Sequence, residues 1–139
     1  MSERYSGGCL CGGVRFEIDG PPGGAGYCHC ADCRKLTGSA FNVSAPVAAD
    51  ALRITAGAPK AFTKRADSGN ELTRYFCPDC GSPLYTASPA HPDTVYVKAG
   101  ALDDPTLIIP LHQSWTRSRV SWAAIADDLP GFERSGDDG

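Results

Sequence analysis

No stretch of the 139-residue chain approaches the run of about 20 apolar residues that a membrane-spanning helix needs. Nor is there an excess of basic residues: Lys and Arg number 13 against 16 Asp and Glu, for a formal net charge of −3 and a pI of about 5.5. An acidic balance exerts no broad pull on phosphate backbones or anionic lipid, so neither nucleic acid nor a membrane is an expected partner. Residues 1–6 hold no apolar run, so no secretory leader is expected and the location reads as cytoplasmic. Repeats, linkers and low-complexity tracts are also missing. The expectation is one domain over 1–139, with its core at about 5–129 and a frayed polar tail at 131–139. Room for long helices is scarce as well, because 16 glycines and 11 prolines cut the chain into short elements. A chain of this length buries roughly 68–70% of its unfolded surface, enough for a real core.

What the sequence does have is cysteine. Seven fall into three groups: Cys9 and Cys11; Cys28, Cys30 and Cys33; Cys77 and Cys80. An odd number cannot pair fully in one chain, and clustered thiols in a reducing compartment are more often metal-binding or catalytic than disulfide-forming. The grouping suggests a division into four and three. Cys9 and Cys11 would join Cys77 and Cys80 around one zinc, since residues two apart in an extended chain face the same side. Cys77-Pro78-Asp79-Cys80-Gly81 reads as half of a zinc knuckle: Pro78 sets φ for the turn, and Gly81 permits the positive φ that turns later N–H groups toward sulfur. Buried apolar cysteines or a redox dithiol are the competing readings. The middle trio leaves a tetrahedral ion one ligand short, as catalytic zinc sites do, unless His29 or His112 closes it.

Along the rest of the chain, residues 14–18 alternate apolar and polar and predict a half-buried strand. Residues 19–24 form a turn cluster. Residues 31–36 predict one or two helical turns ending near Gly38. Strands are expected at 40–47, 52–55, 60–64, 72–76 and 111–115; the segments 84–86 and 94–98 flank a loop holding Pro89 and Pro92, and 102–107 reads as a turn with one helical turn. Trp122 and the segment to 129 read as a short helix or arm, and Trp122, Tyr75 and Phe76 as core.

The series Gly8-Cys9-Leu10-Cys11-Gly12-Gly13, Cys28-His29-Cys30-Ala31-Asp32-Cys33-Arg34-Lys35, Gly38-Ser39, Phe76-Cys77-Pro78-Asp79-Cys80-Gly81 and Ala99-Gly100-Ala101-Leu102-Asp103-Asp104-Pro105 resembles the glutathione-dependent formaldehyde-activating enzyme family, also called the centromere protein V family. The resemblance runs over about residues 5–129. It implies a mainly β, β-tent fold of short antiparallel sheets built around two zinc sites. It also implies a structural zinc on Cys9, Cys11, Cys77 and Cys80, and a catalytic zinc on Cys28, Cys30 and Cys33. The implied activity is that of a carbon–sulfur lyase joining a small thiol such as glutathione to formaldehyde, as S-hydroxymethylglutathione.

The chemistry of the trio agrees. Zinc with three thiolates carries a net charge of −1 and is a weak Lewis acid, better suited to holding a thiol as thiolate than to activating water. Tyr27, His29, Asp32 and Ser39 are candidates for handling the carbonyl proton. Arg34 and Lys35 are candidates for contacting the carboxylates of a glutathione-like ligand. Arg117 and Arg119 with Trp115 form a second candidate anion patch. A zinc-built binding module without catalysis, or a redox or metal-buffering thiol protein, are the alternatives.

Overall fold

The computed structural model describes residues 4–124, 129–130 and 132–134. Ten strands and one short α-helix make up most of it. In chain order they are β1 (Arg4–Gly8), β2 (Arg15–Asp19), β3 (Ala25–Cys28), α1 (Ala31–Thr37), β4 (Asn42–Ala48), β5 (Leu52–Ala56), β6 (Lys60–Arg65), β7 (Glu71–Phe76), β8 (Pro83–Ala87), β9 (Thr94–Lys98) and β10 (Pro110–Ser114). Single 3-10 turns lie at 49–51, 99–101, 105–107 and 116–118. The class is mainly β, as expected. Among the described residues no helix is long and apolar enough to cross a membrane.

Two sheets hold the strands. The smaller has the order β1-β2-β5, the larger β10-β3-β4-β9-β8-β7-β6. Every neighbouring pair is antiparallel except β10 and β3, which run parallel. This pair departs from the expected all-antiparallel sheets. The cause is connectivity: the chain leaves β3, crosses the whole large sheet and returns along its edge, and parallel pairing requires such a long return. Two strands, β1 and β3, were absent from the sequence expectation; Gly7, Gly8 and Gly26 dilute their β signal.

The core lies where the two sheets meet. Alternation in β2 sends Phe16 and Ile18 inward, and Val47, Val95, Val97 and Leu84 answer from the large sheet. Cys9 and Cys77 belong to the same cluster. Tyr75 and Phe76 are half-buried rather than core, and Tyr75 stacks on Tyr85 with centroids 4.5 Å apart. Trp122 corrects the sequence expectation more sharply: it is 66% exposed, on a turn outside both sheets, where no strand carries it inward. The expected arm to 129 includes residues 125–128, and the expected frayed tail includes 131 and 135–139, all outside the described residues.

Candidate metal centres

Four sulfurs meet at the junction of the sheets. The Sγ atoms of Cys9, Cys11, Cys77 and Cys80 all lie within 4.8 Å of one another. The first pair follows β1 and the second follows β7, so the cluster joins the small sheet to the large one. Cys9–Cys11 and Cys11–Cys77 sulfur separations are 3.5 and 3.8 Å. Tetrahedral Zn–S bonds of about 2.3 Å place sulfurs roughly 3.8 Å apart, so the donor set fits that ion. Backbone N–H groups of Val14, Gly13 and Asp79 donate to the sulfurs of Cys9, Cys11 and Cys77 at 3.2, 3.4 and 3.4 Å. Gly81 takes φ of +78°, the conformation the knuckle reading requires, and its N–H donates to the Cys77 carbonyl at 2.9 Å. Ser82 completes the clasp: its Oγ lies 3.2 Å from the Cys80 sulfur and accepts from Leu10 N–H at 3.0 Å. Hydrogen bonds from Ser82 and a backbone N–H hold the Cys80 thiol down at about 5, while the crowded neighbouring sulfurs help push Cys11 up to about 12 against a lowering backbone bond from Gly13.

The second cluster is the trio Cys28, Cys30 and Cys33, whose sulfurs also lie within 4.8 Å of one another. Cys28 ends β3. Cys30 caps α1, and its sulfur accepts the Cys33 N–H at 3.3 Å. Gly38 closes the helix in the left-handed conformation at φ +66°, where the sequence predicted its end. Within the trio the hydrogen bond from Cys33 draws the Cys28 thiol down to about 5, against the opposing effect of burial, and the same bond pushes Cys33 up. Among the described residues no histidine, aspartate or glutamate joins the trio as a fourth ligand. His29 is buried; its Nε2 pairs with Gln113 Oε1 at 2.9 Å, and its ring packs edge-on against Phe41. Its Nδ1 is buried with no partner among the described residues.

Cys28 and Cys33 of the trio open on a cavity of about 290 Å³, and register explains its lining. Because alternate residues share a face, three ranks run across one side of the large sheet. Ser114, Cys28 and Asn42 are paired neighbours in the first; His112, Gly26, Ser44 and Lys98 in the second; Pro46, Tyr96, Thr86 and Arg74 in the third. All eleven line the cavity. The opposite face carries Ala45, Val47, Val95 and Val97 into the core. The large sheet thus has one apolar face turned to the core and one face of mostly polar residues that lines this cavity. At Gly26 a β-carbon would stand 2.4 Å from the His112 ring, so glycine there leaves room for the imidazole.

Two cations sit on the polar face. Arg74 is 5% exposed and Lys98 7%. Lys98 Nζ donates to Asn42 Oδ1 at 2.6 Å, and Asn42 Nδ2 donates to Ser44 Oγ at 2.9 Å. Burial brings the Lys98 ammonium down to about 8, opposed by the attraction of the Cys33, Cys28 and Cys30 sulfurs and reinforced by Arg74. Arg74 makes no side-chain hydrogen bond or ion pair with any described residue, and no acidic residue lines this cavity.

The other residues singled out from sequence fall elsewhere. A smaller cavity of about 110 Å³ touches the trio from the side of Trp115 and the 66–68 loop, and Asp32 lines it. Asp32 is engaged by Lys64 at 2.6 Å, which holds its carboxyl below the usual range. Tyr27 packs edge-on to Phe41, and Ser39 is exposed; neither lines either cavity at the trio. Lys35 lines a separate 320 Å³ cavity that shares Arg74 with the first, whereas Arg34 lines none of these. Arg117 lies over the Trp115 ring at 5.0 Å. Sequence reasoning missed Arg74 and Lys98. The signal that finds them is cross-strand register, which puts them on the face of the sheet that carries Cys28 and requires the pairing to be known.

Comparison with known proteins places these features. A Penicillium rubens protein named "Putative glutathione-dependent formaldehyde-activating enzyme" is 34% identical over 89 residues, 60% of this chain and 46% of that protein. The chain therefore spans about half the length of this curated relative. The crystal structure of a Rhodobacter sphaeroides protein matches with a TM-score of 0.60 at 21% identity, covering 78% of this chain and 99% of the other, a likeness of fold. The glutathione-dependent formaldehyde-activating enzyme family itself matches residues 4–118, a span that takes in all seven cysteines, and the chain belongs to that family.

Proposed function

We propose that the protein is a carbon–sulfur lyase-type enzyme that makes or cleaves thiol–aldehyde adducts of the S-hydroxymethylglutathione kind. In this reading residues 1–139 are one domain. Cys9, Cys11, Cys77 and Cys80 hold a structural zinc, and Cys28, Cys30 and Cys33 a catalytic one. The observation that carries the reading is the open trio: three convergent sulfurs, no fourth protein ligand among the described residues, and a cavity lined by Cys28 and Cys33 together with Arg74 and Lys98. A zinc ion held by three thiolates supplies a remaining coordination position that favours the thiolate form of a bound thiol.

The chain's own residues do the rest. Cys30 fixes the start of α1 while offering its sulfur, so the helix and the ligand set are positioned together. The register of β3 and β4 holds Asn42 opposite Cys28 on the cavity floor. Arg74 and Lys98 make the cavity attractive to an anionic sulfur. The thiol's proton leaves to solvent, sulfur bonds to the aldehyde carbon, and the oxygen gains a proton, so that thiol plus aldehyde becomes the hydroxymethyl thioether. The reverse direction breaks the same bond. A tripeptide thiol reaching past Arg74 would meet Lys35 in the adjoining cavity, the place where the proposed carboxylate contact is made.

The test combines metal analysis with exchange NMR on glutathione and labelled formaldehyde. The reading predicts two zinc ions per chain and exchange accelerated by the protein. Two zinc ions with unchanged exchange would overturn the activity.

A further inference from the structure

The reaction moves negative charge from sulfur to oxygen, and the cavity has a residue placed for the oxygen end. Three thiolates on a dication carry one net negative charge, and an incoming thiolate adds a second. Arg74 and Lys98, both more than nine-tenths buried, match that count: no acidic residue lines this cavity, and in adjoining cavities the carboxylates of Asp32 and Asp103 are paired with Lys64 and Arg15. The two are not equivalent. Guanidinium stays protonated and cannot hand over a proton, whereas an ammonium can. Lys98 is also the one that is aimed. Asn42 is the register partner of Cys28, and Lys98 Nζ is bonded to Asn42 Oδ1 at 2.6 Å, so the ammonium stands beside the strand neighbour of Cys28, in the cavity that Cys28 and Cys33 line. That bond occupies one of three N–H groups and leaves two for a ligand.

Resting on the function proposed above, we infer that Lys98, positioned by Asn42, is a catalytic residue that binds the aldehyde-derived oxygen and gives it its proton. In the forming direction the S–C bond is made and the carbonyl π pair moves to oxygen. Oxygen takes a proton from the Lys98 ammonium, which recovers one from solvent, equal in number to the proton the thiol released. In the cleaving direction the neutral amine takes the hydroxyl proton back as the C–S bond breaks.

The experiment uses metal-loaded protein with Lys98→Met and Lys98→Arg, checked for unchanged zinc content. For glutathione and formaldehyde, K98M is expected to lower kcat about 10²–10³-fold, as loss of an oxyanion donor does, with KM moved less than about threefold. K98R keeps the charge without the transferable proton and is expected to restore kcat only in part. Unchanged kcat in K98M, or full restoration by K98R, overturns the proposal. A second readout needs no turnover. Mercaptoacetate, which carries an oxyanion beside its sulfur, is expected to bind the parent at least about tenfold tighter than K98M, while neutral 2-mercaptoethanol binds both alike. A parent that fails to turn over but keeps this difference sinks the lyase reading and leaves the oxygen site standing; equal mercaptoacetate binding sinks the oxygen site itself.

Discussion

Asp103 shows how single residues tie the scaffold. Its carboxylate accepts from Arg15 Nη1 at 3.0 Å and Ser6 Oγ at 2.7 Å, and its backbone N–H donates to the Ser6 carbonyl at 2.9 Å. The Arg15 guanidinium first, then the Ser6 hydroxyl, holds the carboxyl below its usual 3.8. A depressed carboxyl contributes stability that is complete above the unfolded value and is lost as pH falls through the folded one. Both side chains are partly exposed, so solvent screens the pair. Asp103→Asn should therefore cost under about 1 kcal/mol at pH 7, and the gap to the parent should close below pH 3.8. Urea denaturation of both proteins at each pH checks it, shared proton effects cancelling in the difference. At this scale the sequence was uneven in what it disclosed. Cysteine spacing and the turn residues after each pair were enough to divide seven sulfurs into four and three. Arg74 and Lys98 were not legible, because a charge at alternate positions of a strand reads as a solvent-facing row. Here that face looks into a cavity, and only strand pairing reveals it.

Among the elements, the connection between β5 and β6 is the most constrained. The two strands lie in different sheets, and the chain turns between them at Gly57, with φ +76°. A β-carbon there would stand 2.2 Å from the Gly13 carbonyl oxygen, a backbone atom that cannot swing away. Gly69 has φ of +91° with nothing within 4 Å of the same position. Gly69→Ala should carry only the left-handed strain, about 1 kcal/mol, while Gly57→Ala should add a steric cost and exceed it by about 2 kcal/mol or more. Chemical denaturation of the two variants measures the difference, and equal costs would mean that the turn after β5 does not press on the backbone entering β2, its neighbour in the small sheet. Alternation was readable over 14–18, one residue off the strand observed at Arg15–Asp19. The strands that escaped, β1 and β3, are short and glycine-bearing, and their pairing comes from partners distant in sequence.

For the whole molecule, the two sulfur clusters have different mechanical positions. The quartet joins β1 of one sheet to β7 of the other and contributes Cys9 and Cys77 to the shared core. The trio hangs on one sheet, at the end of β3 and the start of α1. Cys77→Ser should therefore cost several kcal/mol and uncouple the sheets, because structural zinc supplies folding free energy directly. Cys30→Ser should lose one zinc per chain and leave the thermal transition nearly in place. Calorimetry with metal analysis distinguishes the two, and equal destabilisation would contradict the division of labour. Which cluster fastens the scaffold is a property of topology, and spacing alone leaves it undetermined.

The most direct measurement is zinc K-edge X-ray absorption on the fully loaded protein, before and after excess thiol. Seven sulfurs shared by two ions give an average near 3.5 per zinc, with the balance in light atoms. The account predicts that average and a rise toward about 4 when thiol is added. A value that stays near 3.5 in saturating thiol would show the trio's fourth position closed, and would contradict it.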